Sequence, residues 1–82
     1  MDQTQILAWL RSTLQKSFGI PQDQSCDEMT FQGLGLRRGD LIELRQKLKT
    51  ECNIVVPDSI IGDMEYMSLG GVANTLLGYV QH

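Results

Sequence analysis

The chain has 82 residues, the length of one domain, and one of this size buries only roughly 60–65% of the surface its unfolded form exposes. A net charge of −3 and a pI near 4.8 argue against bulk nucleic-acid binding. No run of 18 apolar residues occurs, so no membrane span is expected. Met1-Asp2-Gln3 opens without the basic and apolar regions of a secretory signal, which points to the cytoplasm.

A first helix is predicted over 4–18. Ile6, Leu10, Leu14 and Phe18 repeat every four residues, and Leu7 widens the stripe. Asp2 or Thr4 can cap it, and Gly19 followed by Ile20-Pro21 stops it. Trp9 lies beside the stripe and reads as a half-buried edge of the core. Residues 19–36 form a long connection, polar in the middle, which Met29 and Phe31 pin to the core. A structureless loop of that length is unusual in a compact domain. Cys26 and Cys52 have neither metal-ligand spacing nor a disulfide framework, so they read as a reduced loop thiol and a half-buried helix thiol.

Gly33-Leu34-Gly35-Leu36 then delivers the chain into a strongly amphipathic helix that starts between Arg37 and Asp40 and closes near Asn53. Leu41, Leu44, Leu48 and Cys52 recur at spacings of three and four, while Arg45, Lys47, Lys49 and Glu51 mostly fall off that stripe. Asp40 is the expected cap. Arg37 and Arg38 sit before the positive end of the helix dipole, where cations are mildly unfavourable; they either point into water or are held for contact with a partner. Ile54-Val55-Val56-Pro57 leads out. Asp58-Ser59 caps a short turn or helix through Ile60 and Ile61, ended by Gly62. Ser68 caps a last helix over 69–80, whose stripe is Leu69, Val72 or Ala73, Leu76 and Val80. Gly70, Gly71 and Gly78 weaken it by roughly 1 kcal/mol each relative to Ala.

The segment 31–57 resembles the centre of acyl carrier proteins and of the carrier domains of fatty-acid, polyketide and nonribosomal peptide assembly. The resemblance rests on Phe31-x-x-Leu34-Gly35, on Ile42-Glu43-Leu44 and on the exit Val56-Pro57-Asp58. It implies an all-α, right-handed four-helix bundle with three main helices, a short third one and a long loop between the first two. In that family an Asp-Ser-Leu motif carries 4′-phosphopantetheine on its Ser. Ungapped alignment puts that motif on Arg37-Arg38-Gly39, with Arg38 at the Ser position. A guanidinium supplies only donors, stays protonated and is no nucleophile at ordinary pH. No Ser or Thr lies in the Gly33–Leu36 loop or at the helix start, the nearest being Thr30 and Thr50. The expectation is therefore a carrier-like protein with no phosphopantetheine and no other cofactor.

Charge is unevenly distributed. Residues 1–36 carry −2 and residues 50–82 carry −4 with no Lys or Arg, whereas 37–49 carry +3 through Arg37, Arg38, Arg45, Lys47 and Lys49 against Asp40 and Glu43. In the family, the resemblance implies, the second helix is the recognition face and is usually acidic. Here the sign is reversed, so the expected partner is a biosynthetic enzyme or megasynthase domain with an acidic docking surface, met by Arg37, Arg38, Asp40, Leu41, Arg45 and Lys49. A genuine carrier whose Ser has been substituted is one alternative. A small nucleic-acid-binding domain using 37–49 is another, opposed by the acidic remainder and by the lack of interleaved aromatics. Enzymatic chemistry is not expected: no carboxylate pair, metal cluster, P-loop or nucleophile–base arrangement occurs, and the one His, His82, is the last residue. Gly33-x-Gly35 lacks the further glycine of a dinucleotide site, and Arg38-Gly39-Asp40 is a chance tripeptide at a helix start.

Overall fold

A computed structural model describes residues 2–80; His82 lies outside the described residues. The protein is all-α. Among the described residues four helices, α1 (Gln3–Phe18), α2 (Arg38–Cys52), α3 (Asp58–Met64) and α4 (Leu69–Leu77), surround a hydrophobic cluster. Residues of every helix contribute to it: Ile6, Leu10 and Leu14, then Leu41, Leu44 and Leu48, then Ile61 and Met64, then Leu69, Val72 and Leu76. Helix α1 packs most extensively on α4, and α3 folds back against α2.

Local chemistry sets the helix ends. Asp2 caps α1: its Oδ1 accepts the Gln5 N–H at 2.8 Å, and the Gln5 side chain accepts the Asp2 N–H at 2.9 Å. This reciprocal pair satisfies two of the N–H groups that every helix start leaves free. At the far end Gly19 adopts φ 69°, a left-handed conformation that costs glycine little. Asn53 does the same for α2 with φ 55°, and the following Ile54 N–H returns to Leu48 O at 3.1 Å. Ser68 caps α4 by accepting the Gly71 N–H at 3.1 Å.

Two predicted boundaries move. Helix α3 runs through Gly62 to Met64, because Ile61 and Met64 share a core-facing side whose burial outweighs the roughly 1 kcal/mol that an interior glycine costs. Helix α4 stops at Leu77, short of position 80: Gly78 ends it, and Val80 forms an isolated antiparallel bridge with Ile54.

The long connection before α2 is structured. Gln22–Gln24 make a 3₁₀ turn whose Gln22 carbonyl accepts from Arg11 Nη2 at 3.2 Å. Ser25, in the stretch whose composition reads as solvated, is fully buried and donates its hydroxyl to Pro21 O at 3.2 Å. Further on, Phe31 is wholly buried and Met29 partly so. The carbonyls of Met29 and Asp27 accept the Leu69 and Gly70 N–H groups at 2.8 and 3.0 Å, and Thr30 bridges to Ser68. Loop backbone thus satisfies the free N–H groups at the start of α4. Trp9 lies half-buried at the core edge, its indole Nε1 donating to Glu51 Oε1 at 3.4 Å.

Candidate functional site at the edge of the second helix

Gly35 turns the chain into α2 with φ +87°, a conformation that disfavours any side chain. Leu34 N–H bonds to Thr30 O at 3.0 Å and Leu36 N–H to Phe31 O at 2.9 Å, so the turn is held from both sides. Arg37, with an extended backbone (φ −109°, ψ 175°), is the residue from which α2 starts. Asp40 is therefore not the N-cap. It stands three residues on, inside the first turn, where its Oδ2 accepts the Arg37 N–H at 3.0 Å. This is the returning half of a capping box, and the carboxylate still opposes the helix dipole. The other half is missing because a guanidinium has no acceptor to offer.

Arg38 and Gly39 follow as the first helical residues, both exposed. The flanking hydroxyls are engaged elsewhere. Thr30 Oγ1 accepts the Gly33 N–H at 2.9 Å, and Thr50 Oγ1 donates to Gln46 O at 3.1 Å near the opposite end of α2. No hydroxyl accompanies Arg38 in 31–49, so these residues do not fit a phosphopantetheine attachment point.

Of the six residues expected to meet a partner, Leu41 does not face one. It is 1% exposed and belongs to the core with Leu44 and Leu48, because the periodicity that makes α2 amphipathic turns position 41 inward. The others divide. Arg38, Arg45 and Lys49 fall at helical spacings along one edge of α2, with Arg37 at its mouth. Asp40 lies along the other edge with Lys47, one pair of turns away from it.

Two features of the basic edge are absent from that expectation. Arg45 forms an ion pair with Asp58, the first residue of α3, at side-chain exposures of 37% and 83%. Arg38 and Lys49 carry no ion pair among the described residues. The edge is also partly apolar: Ile42, on the same row, is 47% exposed, and Val55 is 45% exposed. A shallow cavity of about 80 Å³ opens between Arg45, Gln46, Lys49, Val55 and Val56. Val55 was legible in principle, since Ile54 and Val56 on either side are buried and an extended segment alternates its faces. Ile42 was legible too, one position beyond the leucine stripe.

The remaining reactive groups lie elsewhere. Burial raises the Cys52 thiol above its ordinary 9.0, with the neighbouring Glu51 charge adding to the effect, while Cys26 is exposed. Among the described residues no group of three His, Cys, Asp or Glu side chains could hold a metal ion. No helix among them is long and apolar enough to cross a membrane. Protein-family models, curated proteins and solved structures compared with the chain give no match.

Proposed function

We propose that this protein is a non-enzymatic, carrier-like domain that works by protein contact in a fatty-acid, polyketide or nonribosomal peptide system of the cytoplasm, without phosphopantetheine of its own. The observation that carries the reading is Arg38. It is the first residue of α2, behind the Gly35 turn, where the resemblance to acyl carrier proteins puts the modified Ser. The helical architecture supports the reading, with a long loop between α1 and α2, a short α3 and a closing α4. So does the charge of α2: cations at 38, 45 and 49 in an otherwise acidic chain favour an acidic partner surface and disfavour basic docking patches.

The test is intact mass after incubation with a phosphopantetheinyl transferase and coenzyme A. An unchanged mass is expected. Addition of one phosphopantetheine group would place an attachment hydroxyl that this alignment lacks and would overturn the reading.

A further inference from the structure

The basic edge of α2 offers more than charge. Ile42 and Val55 are aliphatic side chains exposed by nearly half; Val55 lines a cavity with Arg45, Gln46, Lys49 and Val56, and Ile42 stands on the same helical row, about one turn before Arg45. Arg38 stands at one end of the row and Lys49 at the other, about 16 Å apart at 1.5 Å per residue. We infer that this groove, between α2 and the 54–56 segment, binds an amphipathic acidic helix of a partner protein: its apolar side chains would cover Ile42 and Val55, and its carboxylates would meet Arg38 and Lys49. This rests on the reading of the protein as a docking module and names the chemistry of what docks.

Charge complementarity selects the occupant. The unpaired cations lie at the two ends of the row, where carboxylates flanking a short apolar stretch would fall. Arg45 between them is held by Asp58, whose carboxylate is 83% exposed, so a partner carboxylate can replace it without burying either. A wide polyanion fits worse. After Lys49 the chain carries Glu51, Asp58, Asp63 and Glu65 with no Lys or Arg, and Asp58 already stands at Arg45, so an extended polyanion laid across the edge meets like charge there. A nucleic-acid backbone would also leave Ile42 and Val55 uncovered. A helix seated in a groove uses both kinds of group, reading apolar anchors three and four residues apart.

The experiment titrates the isotopically labelled protein with two synthetic helical peptides. Both carry leucines at i, i+4 and i+7; one has glutamates beside them and the other lysines. Binding is read by anisotropy, and its location by amide chemical shifts. The glutamate peptide is expected to shift Arg38, Ile42, Lys49 and Val55 and to weaken as salt rises; the lysine peptide should leave them unmoved. The double variant Arg38→Glu with Lys49→Glu should lose about tenfold or more in affinity, and Ile42→Ser should lose affinity at all salt concentrations. Arg45 is left intact because its replacement would also strand Asp58. Unchanged circular dichroism shows that the variants fold. Equal binding of both peptides, shifts on another face, or stronger charge-dependent binding to heparin or phosphatidylserine vesicles than to the peptide would each overturn the inference. Self-association through this edge would overturn it as well, by giving the groove to a second copy. All of these are independent of the mass experiment, so docking module and docking groove can fail separately.

Discussion

Replacing Phe31 by Ala removes the largest side chain of the loop that precedes α2. Phe31 is 0% exposed, and it sits between the segment that satisfies the start of α4 and the turn that launches α2. Truncating a buried phenylalanine costs about 3–5 kcal/mol, from lost transfer energy and the cavity left behind. A domain of 82 residues has roughly 4–12 kcal/mol to lose, at about 0.05–0.15 kcal/mol per residue. Phe31→Ala should therefore leave the protein marginal, whereas Phe31→Leu should cost under about 2 kcal/mol, since much of the volume remains. Urea unfolding followed by circular dichroism measures both. The transition midpoint should fall sharply for Ala with little change in slope, because the surface exposed on unfolding is nearly the same. A loss below about 1 kcal/mol for Phe31→Ala would refute the reasoning. The long connection would then be a passive tether rather than part of the core.

Asp40→Ala deprives the Arg37 N–H of its acceptor at 3.0 Å and removes the one acidic group in the first turn of α2; about 1 kcal/mol of stability should be lost in the same urea assay. Asp58→Ala breaks an ion pair that is substantially exposed, so at most about 1 kcal/mol is expected, shrinking with added salt in thermal melts at two ionic strengths. A thiol reagent should label exposed Cys26 quickly and buried Cys52 only on unfolding. Because burial raises the Cys52 thiol above its unfolded value near 9.0, folding favours the protonated form. Its contribution is fully present below that pH and is lost as pH climbs through the folded value. Melts of Cys52→Ala should lack that alkaline decline.

The helices were legible in the chain because local chemistry decides them. Leucines at three and four positions' spacing define α2, and Asp2, Gly19, Asn53 and Ser68 end or begin helices by their own side chains or left-handed backbone. What escaped sequence reasoning depends on groups brought together by folding. The Arg45–Asp58 pair exists because α3 folds back on α2, and no spacing encodes it. Ser25 is buried at the end of the 3₁₀ turn, where its hydroxyl reaches Pro21 O. Val80 leaves α4 because Ile54 offers it a bridge from another segment. Leu41 sits in the chain among the residues expected to meet a partner but falls on the leucine stripe, and helical position outweighs neighbourhood in the chain.

The proposed function stands on Arg38, the first residue of α2, at the position where the acyl carrier proteins that this segment resembles have their attachment Ser. The most direct measurement is intact mass, after exhaustive incubation with coenzyme A and a phosphopantetheinyl transferase, for the natural chain and for a variant combining Arg37→Asp, Arg38→Ser and Gly39→Leu. No change is expected for the first, and gain of one phosphopantetheine group for the second. A modified natural chain, or a folded variant that resists modification throughout, would contradict it.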